Sequence, residues 1–215
     1  MKTVIVIPAK DEEKRVGEVV KGAKKYGDVF VVDDGSNDRT SDVAREAGAK
    51  VFRLSKNKGK GYALRIGVKK ALETKPDYVV MIDGDGQHRF EDIPKFLEKL
   101  RDYEIVFGQR TGGNMPPIKK VGNWGLHQIF SLLFGSRITD TQCGFKAFRA
   151  DALKKVHWKS ERYFVDTEIA AASSKFRVSV VEIPIIYHDK YKGTTIFDGI
   201  VIGYRMLKLK FGKPI

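Results

Sequence analysis

Residues 79–88, Val-Val-Met-Ile-Asp-Gly-Asp-Gly-Gln-His, run an apolar stretch directly into two carboxylates, Asp83 and Asp85, followed by Gln87 and His88. Apolar, mostly β-branched residues favour a buried strand. A strand that ends in Asp and Gln presents hard oxygen ligands, which suit Mg2+ or Mn2+ with open positions left for substrate phosphates. An Asp-Gly turn after a strand would use the same letters, so the rest of the chain has to decide between the two.

The elements that would position this stretch alternate regularly. Residues 3–8, 28–33, 50–54, 78–82 and 104–107 are expected as strands, separated by helices over 10–26, 40–47, 60–73 and 91–100. Such alternation with short connections predicts an α/β fold with a mostly parallel sheet and helices on both faces. Ligands in these sheets sit beyond the carboxyl ends of the strands. Here those ends are Pro8 to Glu12, Asp33 to Ser36, Asn57 to Gly61, Asp83 to Gln87 and Gly108 to Arg110, which would share one crevice. After Arg110 the rhythm breaks into a Gly/Pro/Asn-rich loop, an apolar helix over 123–135, a short strand within 140–149, a helix over 164–174, a strand over 178–186 and an amphipathic helix over 196–211.

The chain has 215 residues, 42% of them hydrophobic, enough for a core of one domain. No apolar run reaches the roughly 20 residues of a membrane-spanning helix, and the N-terminal apolar run is too short for a signal peptide. A cytoplasmic protein is expected. The single Cys143 cannot form an internal disulfide or a multi-cysteine metal site. A net charge of +13 implies an anionic partner, whether nucleotide, lipid headgroup or nucleic acid. The sequence has no aromatic-plus-basic module, which argues against nucleic acid.

Several familiar site patterns fail. Gly59-Lys60-Gly61-Tyr62 lacks both the Walker spacing and the dinucleotide fingerprint, and an EF-hand fails because position 94 is proline. A strand followed by Asp-x-Asp is also similar to the haloacid-dehalogenase phosphatases, where the first Asp is a nucleophile, but Gln87 stands where that family has Thr or Val.

The stronger resemblance is to family 2 glycosyltransferases of the GT-A fold, and within them to polyprenyl-phosphate glycosyltransferases such as dolichol-phosphate mannose synthase. It rests on Pro8-Ala9-Lys10-Asp11-Glu12, Val31-Val32-Asp33-Asp34-Gly35-Ser36, Asn57-Lys58-Gly59-Lys60-Gly61-Tyr62-Ala63, Met81-Ile82-Asp83-Gly84-Asp85-Gly86-Gln87-His88, Gly108-Gln109-Arg110 and Asp140-Thr141-Gln142-Cys143-Gly144-Phe145-Lys146. The blocks occur in the family's order over about two-thirds of the chain.

The resemblance implies one catalytic domain, with residues 1–110 binding a nucleotide-sugar donor and 111–215 the acceptor. Pro8, Ala9 and Glu12 would line base and ribose, Asp34 with Gly35 would read the base, and Gly59 and Gly61 would let the backbone approach the nucleotide. Asp85 and Gln87 would hold Mn2+ or Mg2+ on the diphosphate, with Asp83 and Gly84 on the ribose or the metal. Arg110 would clamp a phosphate with its planar fork.

Asp140 would be a general base for a sugar-hydroxyl acceptor. A polyprenyl phosphate needs no base, and Asp140 would then orient. Lys119, Lys120 and Asn123 would hold the lipid phosphate. Where the family closes an Arg-rich loop over the diphosphate, this chain has Lys190 and Lys192, which carry charge without bidentate geometry. The apolar segment 126–135 and the basic helix 196–213 would rest peripherally on the cytoplasmic face of a membrane, or pack in the core or a homodimer.

Overall fold

The computed structural model describes residues 1–111, 117–176, 178–186 and 196–211, apart from the side chains of 117–121, 123 and 196–200. The loop lysines Lys190 and Lys192 therefore lie outside the described residues. So do the side chains of Lys119, Lys120 and Asn123, although the helix that carries them is described.

Strand β1 (Thr3–Ala9) is buried along its whole length. It pairs in parallel with β2 (Asp28–Asp33) on one side and β4 (Tyr78–Met81) on the other. Successive side chains of a strand point to opposite faces. Val4 and Val6 accordingly join one apolar layer with Leu64, Val68 and Ile169, while Ile5 and Ile7 join the other with Val16, Val20 and Phe96. Both faces are covered, and the strand must be apolar throughout. Helices α3 (Lys60–Glu73) and α7 (Val165–Lys175) supply the first layer; α1 (Val16–Ala23) and α4 (Ile93–Lys99) supply the second.

The sheet has seven strands in the order β3-β2-β1-β4-β6-β5-β7, with β3 (Lys50–Arg53) on one edge and β7 (Val180–Ile186) on the other. The mostly parallel α/β sheet expected from the sequence is present. One strand departs: β6 (Lys146–Arg149) runs antiparallel between β4 and β5 (Ile105–Thr111). Its first residue, Lys146, pairs with Met81 and Phe107. An antiparallel strand begins where its neighbours end, so the Asp140 to Phe145 segment is delivered to the same crevice as Asp83. The Phe145 ring then stacks on Phe96 at 4.0 Å, which anchors that segment from below.

Helix α1 starts at Val16, not at Lys10 as expected. Residues 10–15 instead form a loop tied to the next strand end, described below. Helix α2 (Thr40–Glu46) follows β2, and a short turn of 3-10 helix (Phe90–Asp92) precedes α4. Helix α5 (Pro117–Phe134) packs beside the last helix, α8 (Ile196–Phe211), with α6 (Ala150–Leu153) after β6. Among the described residues no helix is long and apolar enough to cross a membrane.

Candidate active site

The first two strand ends interlock through their loops. The backbone N–H of Asp11 donates to Ser36 Oγ at 2.9 Å, that of Glu12 to Thr40 Oγ1 at 2.7 Å, and that of Glu13 to Asp38 Oδ2 at 3.1 Å. Asp11 returns the favour by accepting the Asn37 N–H at 2.8 Å. Asp11 sits at φ +55°, a left-handed conformation that the loop imposes on a non-glycine residue. Buried Asp33 accepts the Ser36 N–H at 2.8 Å and the Ser41 hydroxyl. Pro8 and Ala9, expected to line the donor, end β1 in this interlocked region, and a methyl on Gly84 would touch both at 3.2 Å.

Asp34, expected to read a base, holds a turn in the structure. Its two oxygens accept the backbone N–H groups of Lys58 and Gly59, each at 2.7 Å, and so hold the turn that enters α3. Gly35, at φ +71°, approaches that same turn, where a Cβ would lie 2.7 Å from the Lys56 carbonyl carbon. Gly59 and Gly61 also face protein. A Cβ on Gly61 would lie 2.1 Å from the Ser160 carbonyl oxygen, and one on Gly59 2.4 Å from that of Glu161. These glycines seat the 160–161 backbone, which Glu168 fixes from behind by accepting the N–H groups of Lys159 and Ser160 at 3.0 and 2.8 Å.

Beyond β4 lies a chain of buried charges. Lys60 Nζ is 2.8 Å from Asp83 Oδ1 and 3.0 Å from Asp166 Oδ2. Asp166 Oδ1 is in turn 2.5 Å from Nζ of Lys146, which also donates to the Cys143 carbonyl. His88 Nε2 lies 3.6 Å from Asp83 Oδ2, its ring edge-on to Phe145. A Cβ on Gly144 would fall 2.1 Å from that same oxygen, so glycine makes the room for Asp83. Burial opposes ionisation of Asp83, but the charge of Lys60 and the contact with His88 outweigh it and hold the carboxyl far below its usual range. Burial likewise opposes the charge on Lys60, and the two carboxylates overcome it.

Asp85 has no such counter-cation at contact distance among the described ion pairs. Burial, and then the charge of Asp83, push its carboxyl up, and the Gln87 N–H at 3.0 Å, with His88 and Lys60 acting from further away, only partly offsets them. Glu12 is also raised, chiefly by burial, with Asp85 adding to it, although Arg15 pairs with it at 2.8 Å. Two carboxyl groups that resist ionisation beside each other are what a divalent cation would relieve. The residues therefore fit Mg2+ or Mn2+, and Asp85 is the side chain that would ligate it. No three His, Cys, Asp or Glu side chains converge on one point among the described residues, so substrate oxygens would complete the shell.

Arg110 and Asp140 meet head-on. Nε donates to Oδ2 at 2.7 Å and Nη2 to Oδ1 at 2.8 Å, a bidentate pair, and the Arg110 N–H adds a third bond at 3.1 Å. Burial would raise the Asp140 carboxyl, but Arg110 more than reverses it and the group lies below its usual range. From β7, Glu182 accepts the N–H groups of Thr139 and Asp140, both at 2.8 Å, and fixes the turn.

The family described as Glycosyl transferase family 2 matches residues 4–157, most of the chain and all of the clusters just described except the 159–161 backbone, Asp166, Glu168 and Glu182. The chain is a family 2 glycosyltransferase. The UDP-N-acetylglucosamine–dolichyl-phosphate N-acetylglucosaminyltransferase of Methanococcus voltae is 36% identical to it, over 98% of this chain and 97% of that one. The dolichyl-phosphate hexose transferase of Haloferax volcanii is 30% identical over 95% and 92%. Glucosyl-3-phosphoglycerate synthase from Mycobacterium tuberculosis, solved in complex with Mn2+ and UDP-glucose, superposes with a TM-score of 0.75 over all of this chain and 80% of its own, at 20% identity. The fold is GT-A.

In this glycosyltransferase the strand ends bring together Glu12, Asp83, Asp85, Gln87 and, through β6, the Asp140 to Lys146 segment. Sequence reading missed Lys60, Lys146, Asp166, Glu168 and Glu182. A signal was present for Lys146, a charged residue inside the apolar run Phe145 to Phe148, because lysine is almost never fully buried without a partner. Asp166 and Glu168 sit likewise on buried positions of α7.

Proposed function

We propose that this glycosyltransferase moves a sugar from a nucleoside diphosphate sugar, UDP-linked or GDP-linked, to a polyprenyl phosphate with inversion at the anomeric carbon. The observation that carries the choice of acceptor is the Arg110–Asp140 pair. A carboxylate bound bidentately by guanidinium and shifted below its usual range is a poor proton acceptor. A hydroxyl acceptor needs such a base; an ionised phosphate does not. One phosphate oxygen attacks the anomeric carbon, the bond from that carbon to the diphosphate breaks, and its electrons leave with the nucleoside diphosphate. No proton has to be taken up. The two dolichyl-phosphate transferases named above support the same choice.

Asp85 would hold Mg2+ or Mn2+, which when bound stabilises the charge gathering on the departing diphosphate. Gln87 remains a candidate ligand, and Glu12 lies against the same loop. Asp140, fixed by Arg110 and Glu182, orients the acceptor side of the crevice. Lys119, Lys120 and Asn123 are carried on α5 in the acceptor half, 111–215, and Lys190 and Lys192, outside the described residues, would supply positive charge to the donor diphosphate. UDP is the nucleotide favoured by the name of the Methanococcus relative.

The membrane reading rests on α5 and α8. Trp124, Leu132, Tyr204 and Phe211 are exposed there, with Lys208 and Lys210 in the last turn of α8. Apolar side chains beside lysines suit peripheral contact with an anionic lipid surface. Incubation with radiolabelled UDP- and GDP-sugars and dolichyl phosphate, with Mn2+ or with EDTA, tests the whole proposal. Label should enter the organic phase only with lipid and cation present. Transfer to soluble saccharides without lipid would overturn the acceptor, and turnover in EDTA would overturn the metal.

A further inference from the structure

The charges Lys146, Asp166, Lys60 and Asp83 form one unbroken line from the sheet interior to the cation loop, with successive contacts of 2.5, 3.0 and 2.8 Å. Lys146 is fully buried and Asp166 nearly so. Buried ion pairs of this kind are weak contributors to stability, because desolvation offsets most of the attraction. Their placement makes better sense at the site. Of the two motif carboxylates, Asp83 carries an ammonium in contact with Oδ1, and among the described ion pairs Asp85 has none.

We propose that Lys60, pinned by Asp166 and through it by Lys146, is a fixed counter-cation that keeps Asp83 out of the divalent site and sets how tightly the Asp83 to Gln87 loop holds its metal. The inference rests on the metal reading above. Lys60 cannot swing away from Asp83 without also leaving Asp166, and Asp166 is locked by Lys146 on β6. The loop is thereby left with one carboxylate, Asp85, that has no cation in contact with it among the described ion pairs. One open carboxylate binds a divalent ion weakly until a diphosphate adds oxygens, so cation and nucleotide would arrive and leave together. Lys146 and Asp166 are positioning residues in this scheme and touch no substrate.

Charge makes the test directional. Mn2+ binding to the purified full chain is measured from the paramagnetic resonance signal of free Mn2+, without nucleotide and with saturating UDP, and circular dichroism checks each variant's fold. Lys60→Gln keeps hydrogen-bond donors but removes the charge, and should tighten Mn2+ roughly tenfold, since a cation a few ångströms from the site is lost. Asp166→Asn leaves the two lysines in excess and should weaken it several-fold. Lys60→Arg should restore the wild-type affinity. A merely structural network would weaken binding in both of the first two variants.

Shifts of the same sign, or no shift in folded variants of a protein that does bind Mn2+, overturn the relay. If Lys60→Gln does not fold, Lys146→Gln takes its place: it removes the other ammonium of the line, should tighten Mn2+ where a merely structural network would weaken it, and weaker or unchanged affinity there overturns the proposal. A wild-type protein that binds no Mn2+ even with UDP overturns the metal reading beneath it as well.

Discussion

Arg110 grips Asp140 through two parallel hydrogen bonds of 2.7 and 2.8 Å, and this pairing joins two residues that the sequence presents as separate actors 30 positions apart. A phosphate clamp and a general base would each need to be available to substrate. Bound to each other, they act as one rigid unit. Arg110→Lys loses the fork, and should therefore lower kcat/KM about as much as Asp140→Asn, with the double variant no worse than the worse single one. A base role predicts another pattern, with Asp140→Asn alone costing about 10²–10⁴ and Arg110→Lys little. Steady-state kinetics on the four proteins separates the two.

The same pair has a pH signature in stability. The folded carboxyl of Asp140 lies below its unfolded value, so its contribution is fully present above roughly pH 3.9, the ordinary value for Asp, and is lost as pH falls through the lower folded value. The stability difference between wild type and Asp140→Asn should be wide at pH 7 and shrink below about pH 3.9. Urea denaturation at pH 7 and pH 3 measures it. An equal difference at both values would mean that shape rather than charge is the source.

Much of this architecture is visible in the residues themselves. Val4 to Ile7 and Val29 to Val32 read as buried strands because a doubly covered parallel strand must be apolar on both faces, and the acidic residues that follow can only lie at the strand ends. What is hidden has a common physical cause. The direction of β6 does not alter its apolar pattern, so an antiparallel strand is indistinguishable from a parallel one. The start of α1 is set by Ser36 and Thr40, about 25 residues away, which hold residues 11 and 12 in a loop. Lys60 and Asp166 are 106 positions apart, and no local spacing announces their contact. The glycines of the Asn57 to Gly61 block point to close approach, but not to what approaches.

Two glycines in the site should fail in different ways when given a methyl group. At Gly144 the new Cβ would lie 2.1 Å from the Asp83 carboxylate, a side chain that can move off its lysine. Gly144→Ala should fold and lose at least about tenfold in kcat/KM, because a displacement near 1 Å in a positioned group costs that much or more. At Gly61 the obstacle is backbone, the Ser160 carbonyl oxygen at 2.1 Å, which is further held by Glu168. Gly61→Ala should therefore lower stability by about 1–3 kcal/mol, as overpacking against fixed structure does. Thermal melts and kinetics on both variants check the contrast; matching behaviour would contradict it.

Cys143 offers an internal probe of the segment that carries Asp140 and Lys146. Its side chain is fully buried, and burial, with the charge of Asp140 adding to it, pushes the thiol up to about 12. Only the thiolate reacts with disulfide reagents. In the folded protein at pH 8 the group should be inert to such reagents, and in urea it should react stoichiometrically, since an unfolded thiol titrates near 8.5. Between these limits the labelling rate reports opening of the 140–146 segment. Saturating UDP with Mn2+ should slow the labelling if the donor site and this segment open together, because a ligand that binds only the closed form lowers the open population by its own binding free energy. Rapid labelling of the native protein would show that Cys143 is not buried as the structure describes.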